Sequence, residues 1–273
     1  MHERDDLGAF LRARRGALTP ADVGLPHGRG RRTPGLRREE IAMLAGVSVT
    51  WYTWLEQGRK INASVDVLEA LARALRLDDA ERRHLLALAA PLPAEPIATD
   101  EHAPDALVRL IESMEPAPAY VLGPRWEFLA WNRAQSRLYP TIDRLAAADR
   151  NLLWVIFAEP NARSLVGDWP QQARRILAEF RAGTAMLRGD AQVIALVERL
   201  QRESAEFAEW WPQADVAQFQ TRIRHYHHPR AGDLAFEYQQ LTPSEWPSLR
   251  VVCQLPVPGD DSAQRLAAWR EIA

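Results

Sequence analysis

Residues 36–60, LRREEIAMLAGVSVTWYTWLEQGRK, contain the pattern that decides the fold of the first part of the chain. Apolar residues at i, i+3 and i+4 predict a helix over about residues 38–45. Gly46 follows this helix, where a sharp turn favours glycine because a left-handed backbone costs this residue little. Ser48 then suits the N-cap of a second helix, since its hydroxyl can accept a hydrogen bond from a backbone amide of the first turn.

Two helices separated by so short a turn are typical of a helix-turn-helix unit, in which one helix lies in the major groove of DNA and the other supports it. A generic helical hairpin has the same periodicity, but the Ala-Gly-Val-Ser turn between two such patterns favours the DNA-binding unit. Four side chains of the second helix point away from its apolar face of Tyr52 and Leu55: Val49, Thr50, Thr53 and Trp54. We therefore expect double-stranded DNA as a partner.

The outward side chains of the second helix suit contact with base edges and sugars. Val49 and Thr50 present methyl groups that fit a thymine methyl, and the Thr50 hydroxyl can also hydrogen-bond to a base edge. Thr53 is expected to face the groove or its wall. Trp54 either packs on sugar or a thymine methyl or covers the adjoining helix. Ser48 is placed to contact a phosphate at the helix N-terminus. No Arg or Asn points at the bases, so shape readout is expected to contribute to specificity.

A cluster of arginines precedes and enters this unit without an intervening acid: Arg29, Arg31, Arg32, Arg37 and Arg38. Phosphate contacts supply most of the sequence-independent affinity for DNA, and we predict such contacts for the last four. The alternative is a solvated loop made flexible by Gly28 and Gly30, but the adjoining helix-turn-helix favours phosphate contact. Arg59, beyond the end of the second helix, is expected to contact the DNA backbone.

Charge is divided unevenly along the chain, although the formal net charge is only -2. Residues 1–90 contain fifteen Lys and Arg against twelve Asp and Glu, whereas residues 91–273 contain nineteen against twenty-four. The basic half is the half that contains the helix-turn-helix pattern. This division agrees with a nucleic-acid partner for the first half only.

The chain of 273 residues, with 47% apolar residues, is long enough for two domains. Residues 1–90 have the pattern of five helices. Residues 91–104 contain four prolines among polar residues and are predicted to be a linker. A second domain is expected over 105–257, and a final helix over 258–273.

Several motifs along both halves of the chain resemble one known family. The first half contains RRTPGLRREEIAMLAGVS, LEQGR and VLEALARALRLDDAERRHLLALA, and the second contains PAYVL, AWN, NLLWVIF, ESAEFAEWW and HHPRAGDLAFEY. Together these resemble the MmyB-like regulators, a branch of the xenobiotic-response-element helix-turn-helix proteins. The resemblance implies a transcription regulator with an all-α, five-helix, lambda-repressor-like DNA-binding domain. It also implies a C-terminal PAS-like domain that senses a small apolar or fatty-acid-like molecule.

The second domain has the pattern of a mixed α/β fold with an antiparallel sheet. Two strands joined by a tight turn are followed by helical patterns over 149–212 and then by three more strands. Asn132 is predicted to cap the helix after the first hairpin. The strands are expected at 119–122, 126–131, 221–228, 234–241 and 249–255. This order of elements is that of a PAS-like domain, which holds ligands between sheet and helices.

Aromatic residues are frequent in the second domain and could line an apolar pocket, although such side chains more commonly pack a core. Arg181, which follows an apolar helical face, either anchors a ligand carboxylate or is a solvated arginine. The other candidate lining residues are Trp131, Leu153, Trp154, Phe157, His227, Phe236 and Tyr238.

Histidines near residue 225 raise the question of a metal site. On a strand His225 and His227 share one face, and His228 points to the other. Glu237 could join them across the hairpin, but zinc usually needs four ligands, or three and a water. We therefore predict ordinary strand packing and no metal.

Other functional classes receive little support from the sequence. The chain has no glycine-rich phosphate loop, no His-Glu-x-x-His and no Gly-x-Ser-x-Gly motif, so an enzyme is not expected. Its single cysteine, Cys253, lies in an apolar strand and is interpreted as a buried, inert thiol. No apolar run approaches the ~20 residues that cross a membrane, and no signal-peptide core begins the chain, so a cytoplasmic, nucleoid-associated protein is expected.

Two hypotheses for the second domain stay open. It either binds a small-molecule effector that modulates DNA binding, or it is a ligand-free module for dimerisation or protein interaction. A homodimer is expected in both, because paired half-sites about one helical turn apart gain affinity. The final helix either serves that interface or covers its own domain.

Overall fold

Among the described residues, five α-helices form the N-terminal unit, as the sequence predicts. The computed structural model describes residues 5–26, 35–59, 61–90 and 102–262, together with Arg265 and Ala268. The helices are α1 (Asp5–Ala17), α2 (Arg38–Ala45), α3 (Val49–Glu56), α4 (Val65–Ala74) and α5 (Asp79–Ala89).

Local capping explains where these helices begin and end. Gly46 has φ 68° and ends α2 in the left-handed conformation that favours glycine. The Ser48 hydroxyl accepts a hydrogen bond of 3.1 Å from the Trp51 amide and caps α3. Asp78 and Glu81 form a reciprocal capping box at the start of α5. Because these signals lie within four residues of each boundary, the sequence alone located the helices.

One apolar core joins the five helices. Its largest fully buried members are Phe10, Leu11, Leu36, Ile41, Tyr52, Leu71 and Leu85. Tyr52 and Leu55 of α3 point into this core, so the opposite face of α3 is left to solvent. The predicted helix-turn-helix is therefore supported on one side only, as a groove-reading helix requires.

The C-terminal unit is built on a five-stranded, fully antiparallel sheet. Its strands are β1 (Ala119–Leu122), β2 (Phe128–Trp131), β3 (Arg222–His228), β4 (Gly232–Leu241) and β5 (Arg250–Pro256), arranged in the order β2-β1-β5-β4-β3. The last strand of the chain therefore lies between the two hairpins and joins them. The second strand starts two residues later than predicted, because Trp126 has φ 67° and its amide bonds to the Gly123 carbonyl within the turn.

Helices cover both faces of the sheet. One face packs on α6 (Asp105–Ser113), whose Leu107 and Ile111 meet Val121 of β1 and Val251 of β5. The other face packs on the larger helical layer, which comprises α7 (Arg133–Leu138), α8 (Leu152–Ala158), α9 (Ala162–Leu165), α10 (Trp169–Gly183), α11 (Ala191–Glu203) and α12 (Ala205–Trp210). The main core of the unit lies between β-sheet and this layer.

Asn132 fixes the junction of α6, β1 and α7. Its side-chain oxygen accepts hydrogen bonds of 3.0 Å from the amides of Ala119 and Gln135. Its side-chain nitrogen donates to the carbonyls of Ile111 and Ala117, each at 2.9 Å. The predicted helix cap is confirmed, and this buried side chain also joins three elements.

The two units contact each other directly. Arg14 of α1 binds Asp215 at 2.7 Å, in the segment between α12 and β3. Ala214 and Val216 of the same segment are buried in the N-terminal core. Arg188 donates to the carbonyl of Ala87 at 3.0 Å, near the end of α5. The C-terminal unit therefore completes part of the core of the N-terminal one.

No helix in the described part of the chain is both long and apolar enough to cross a membrane.

Candidate DNA-binding surface and ligand-binding core

The exposed face of α3 presents the side chains that the sequence selected. Val49, Thr50 and Trp54 are exposed and Thr53 is partly exposed, with Trp54 at 39%. Val49 and Thr53, and likewise Thr50 and Trp54, are about one helical turn apart on the solvent face, where a base edge could reach them. Their contact with bases stays a prediction.

Trp54 does not stand alone at the end of the helix. The guanidinium of Arg59 lies 5.6 Å from the centroid of its indole ring. The two residues therefore form one surface of aromatic and cationic character beside the predicted groove-facing side chains. This surface suits a sugar-phosphate wall more than a base edge.

A buried carboxylate anchors the C-terminal end of α3. Glu56 is fully buried and accepts hydrogen bonds from Arg15 Nε at 2.5 Å and Arg38 Nε at 2.7 Å. Arg12 also donates to the Glu56 carbonyl at 2.8 Å. Burial alone would raise the pKa of Glu56, but the hydrogen bonds from Arg15 and Arg38 lower it below its ordinary value. The carboxylate is therefore ionised and ties α3 to α1 and α2.

The arginines predicted to contact phosphate are placed differently from one another. Arg38 binds Glu56 through Nε, and its side chain remains 41% exposed. Only the part of the guanidinium that does not contact Glu56 is left for a phosphate. Arg37 is exposed at the N-cap of α2, and its amide bonds to the Glu40 carboxylate. Arg31 and Arg32 lie outside the described residues. The sequence analysis did not select Glu56 as a site residue. The feature that could have indicated its burial is its position next to the buried, apolar Leu55 in a short helix.

Five of the predicted ligand-lining residues come together in the main core of the C-terminal unit. They are Leu153, Trp154, Phe157, Phe236 and Tyr238. All five are buried, and the Phe157 ring makes edge contacts with Phe207 at 5.2 Å and with Trp169 at 5.9 Å. Around Phe157 the helical layer is thus filled by neighbouring rings.

Two of the other predicted lining residues, Arg181 and His227, lie apart from this group, and the third, Trp131, packs against its edge. Arg181 is buried, but its guanidinium donates to the backbone carbonyls of Trp211 and Asp215, near the N-terminal unit. His227 is on the exposed face of β3 and pairs with Asp233 at 2.6 Å. Trp131, on edge strand β2, is partly buried against the rim of the same core and donates to the exposed Asp143 carboxylate through its indole nitrogen.

The buried face of β3 is not the face that contains His225 and His227, the two histidines considered as metal ligands. Arg224, Tyr226 and His228 point inward from β3, whereas His225 and His227 point to solvent. Among the described residues, no group of three or more potential ligands could hold a metal ion. The alternation of the strand was visible in the sequence, but not which face the core would cover.

The inward face of β3 contributes polar residues that the sequence analysis missed. The hydroxyls of Tyr226 and Tyr238 lie 2.5 Å apart, and Tyr226 also donates to Gln254 at 3.0 Å. Gln254 in turn donates to Gln135 at 2.8 Å. Arg224, only 3% exposed, lies 3.9 Å from the centroid of the Tyr238 ring. A polar cluster therefore lies inside an otherwise apolar core.

An open groove of about 750 Å³ lies elsewhere, on the N-terminal unit. Leu44, Ala72 and Leu77 contribute its apolar surface, and Arg73 and Arg76 contribute charge. It belongs neither to the outward face of α3 nor to the C-terminal core.

Comparison with protein families agrees with both halves of this architecture. Residues 103–268 match the model of the MmyB-like transcription regulator ligand binding domain, which covers more than half of the chain. The chain belongs to the MmyB-like transcription regulators. Residues 6–85 of this MmyB-like regulator match a helix-turn-helix domain. No protein with curated annotation matches the chain. The MmyB-like regulator is therefore a DNA-binding transcription regulator, and both matched models describe regulator domains rather than enzymes.

Proposed function

We propose that the regulator reads double-stranded DNA with the outward face of α3 and that a small-molecule effector in the C-terminal domain modulates this binding. The observation that carries the DNA half is the support of α3 from one side. Tyr52 and Leu55 bury its inner face and Glu56 fixes its end, while Val49, Thr50 and Trp54 stay exposed. A rigid helix with an unoccupied face is what direct readout needs.

Phosphate contacts are proposed for the arginines around the helix-turn-helix. Arg37 is exposed at the start of α2, and Arg59 lies beside Trp54 beyond the end of α3. With Arg31 and Arg32 they would flank the recognition helix on both sides. Such contacts position a protein on DNA and contribute affinity for all sequences.

The proposed effector site lies between sheet and helices of the C-terminal domain. The order of elements, two strands, a helical layer and three antiparallel strands, supports the proposal that this domain is PAS-like. An effector bound there must favour one arrangement of the DNA-binding domain, or it shifts nothing. The contact of Arg14 with Asp215 is a direct connection between the two domains.

A specific observation favours a second candidate function, in which the C-terminal domain binds no ligand. The Phe157 ring makes edge-to-face contacts with Trp169, Phe207 and Trp210, as in an ordinary aromatic core. In that case the domain would serve dimerisation or protein interaction only. Native mass spectrometry of the purified regulator, before and after denaturation, separates the two: a small molecule released on denaturation supports the effector.

A homodimer is part of both candidate functions, because two recognition helices on paired half-sites bind more tightly than one. Most of the final helix predicted over 258–273 lies outside the described residues, so its part in an interface stays a prediction. With DNA as the proposed partner, we infer a cytoplasmic, nucleoid-associated regulator.

Selection of binding sequences from a random double-stranded DNA pool tests the proposed DNA function. We expect the full-length regulator to enrich a sequence with two half-sites one helical turn apart, about 10–10.5 base pairs. Enrichment of no sequence over the starting pool would contradict specific recognition. Enrichment of a single unpaired half-site would contradict the dimer but retain the role of α3.

A further inference from the structure

Arg181 lies on α10 next to Phe180 of the main C-terminal core, but its guanidinium contacts the segment that joins α12 to β3. It donates hydrogen bonds to the backbone carbonyls of Trp211 and Asp215, and it lies 4.6 Å from the centroid of the Trp211 ring. Residues 211–216 are here called the junction segment. A planar guanidinium that donates to two carbonyls four residues apart fixes the path of the backbone between them.

The Arg181 side chain is charged although it is buried. Arg181 is only 9% exposed, and this burial lowers its pKa to about 10, so the guanidinium is still protonated at neutral pH. Arginine is almost never fully buried unless it is paired. Here the two carbonyls of the junction segment and the nearby carboxylate of Asp215 compensate the charge. The burial of Arg181 and the path of the junction segment therefore depend on each other.

The junction segment contains a residue in an unfavourable backbone conformation. Ala214 has φ 58°, in the left-handed region that an L-alanine rarely adopts. Such a conformation persists only where the surrounding structure imposes it. Beyond it, the Ala217 amide donates to the Ala178 carbonyl of α10 at 3.2 Å, while the Trp211 carbonyl before it accepts from Arg181. Helix α10 therefore holds the chain on both sides of Ala214.

The junction segment also fills part of the core of the N-terminal domain. Ala214 and Val216 are buried there. Arg14 of α1 pairs with Asp215 at 2.7 Å through one guanidinium nitrogen and with Glu81 of α5 at 2.5 Å through another. The position of the junction segment, which α10 fixes from the C-terminal side, is therefore passed to two helices of the N-terminal domain.

Helix α1 in turn contacts the C-terminal end of the recognition helix α3. Gly8 packs so closely on Glu56 that a Cβ atom at Gly8 would lie 2.3 Å from the Glu56 carbonyl oxygen. Arg12 donates to the same carbonyl at 2.8 Å, and Arg15 binds the Glu56 carboxylate at 2.5 Å. Because this contact brings backbone against backbone, a displacement of α1 also displaces the end of α3.

We propose that Arg181 is a positioning residue for DNA recognition. By holding the junction segment in the N-terminal core, it fixes α1 and, through α1, the orientation of α3 relative to the C-terminal domain. One fixed orientation is what a dimer needs to place two recognition helices on paired half-sites. The inference rests on the proposed reading of DNA by α3. It gives Arg181 a role different from the carboxylate anchor considered from the sequence.

The same helix extends from the junction segment to the proposed effector core. Ile176, Leu177 and Phe180 of α10 are buried in the main C-terminal core, within about two turns of Arg181. A ligand that binds more tightly to one position of α10 than to another would therefore change the hold of Arg181 on the junction segment.

The DNA affinity of the full-length regulator tests this role. Fluorescence anisotropy with the selected DNA should show that Arg181→Met raises the Kd about tenfold, the value expected if only about one molecule in ten keeps the docked junction segment. Arg181→Lys, which keeps the charge but not the planar fork, should give a Kd between those of the wild type and Arg181→Met. The matched control is Arg202→Met, which removes the same charge from an exposed position on α11 and should leave the Kd within twofold. An Arg181→Met Kd within twofold of the wild type would overturn the proposal.

Hydrogen exchange of the DNA-free regulator distinguishes positioning from a purely structural role. In Arg181→Met the amides of α1 and α3 should exchange faster than in the wild type, while the amides of β1 and β5 keep their protection. A structural role confined to the C-terminal domain predicts the reverse, with faster exchange in β1 and β5 only. That reverse pattern would show that Arg181 does not position the N-terminal helices.

A second variant covers the case in which Arg181→Met loses protection in both domains. Val216→Ser changes a side chain that packs in the N-terminal core and not in the main C-terminal core. It should raise the Kd for DNA and speed exchange in α1 and α3, with β1 and β5 unchanged. Wild-type DNA affinity together with wild-type exchange in Val216→Ser would contradict the positioning of α3 by the junction segment.

Failure of this proposal and failure of the DNA function give different results. If the wild type enriches no DNA sequence, specific recognition is contradicted, and the exchange of α1 and α3 in Arg181→Met still decides whether Arg181 positions these helices. If the wild type enriches a sequence and Arg181→Met binds it equally well, the DNA function stands and the positioning role is wrong.

Discussion

Replacement of Glu56 by glutamine should loosen the recognition helix, because it removes the charge that two arginines share. The bond from Arg15 is shielded, and a hydrogen bond to a charged group contributes ~1.5–3 kcal/mol. The Arg38 side chain is 41% exposed, so its hydrogen bond to Glu56 contributes about 1 kcal/mol or less. The free energy of unfolding of the N-terminal domain should therefore fall by about 2–4 kcal/mol. With an m-value of ~2 kcal/mol/M, the urea midpoint should move down by about 1–2 M.

Urea titration followed by far-UV circular dichroism measures this shift. The matched control is Glu39→Gln, which removes an exposed carboxylate from the first turn of α2 and should move the midpoint little. A Glu56→Gln midpoint equal to that of the wild type within the error of the fits would refute the argument that the buried carboxylate holds α3 in place.

Acid titration checks the same carboxylate from another direction. The folded-state pKa of Glu56 is lowered, whereas the unfolded value is about 4.3. Its contribution to stability is therefore complete above the unfolded pKa and is lost as the pH falls through the lower folded-state pKa. The stability difference between wild type and Glu56→Gln should shrink over this acidic window. If the stability difference between wild type and Glu56→Gln stays constant down to low pH, the Glu56 carboxylate is not the ionised partner of Arg15 and Arg38.

Three further predictions follow from the described contacts and the arginine cluster. Asn132→Ala should lower the free energy of unfolding of the C-terminal domain by roughly 2–4 kcal/mol, since four buried backbone groups lose a partner, and calorimetric melting should report it. Thr50→Ala should change the preferred DNA sequence in a selection experiment with less effect on affinity for random DNA. Arg31→Ala combined with Arg32→Ala should weaken binding to all sequences and reduce the salt slope of log K by up to about 2, and an unchanged slope would disprove phosphate contact.

Local signals made the N-terminal helices predictable. Gly46, Ser48 and Asp78 act within a few residues of the boundaries they set, and apolar spacing identifies the buried side of each helix. The strands followed from the same kind of short-range pattern. Trp126 was the exception, because the sequence did not show that a bulky aromatic residue would take a left-handed turn position.

The interior of the C-terminal domain was less accessible to sequence reasoning. The alternation in β3 defines two faces, but both are polar, so hydrophobicity does not say whether Arg224 or His227 points inward. The partners of Arg181 are thirty or more residues away in the chain, at Trp211 and Asp215. Only the packing of α10 on the segment after α12 brings them together, and no local pattern encodes that contact.

The way in which the two domains meet also bears on how such regulators can be recombined in evolution. Ala214 and Val216 fill part of the N-terminal core, and Arg188 provides hydrogen bonds for the carbonyl groups at the end of α5. A gene fusion that joined residues 5–90 to an unrelated sensor would expose apolar surface and leave those carbonyls to water. The helix-turn-helix domain of this regulator therefore shares part of its core and of its helix-end hydrogen bonds with the C-terminal domain. A recombined regulator that keeps this helix-turn-helix domain would also need the short segment before β3, or a replacement for the contacts that this segment makes.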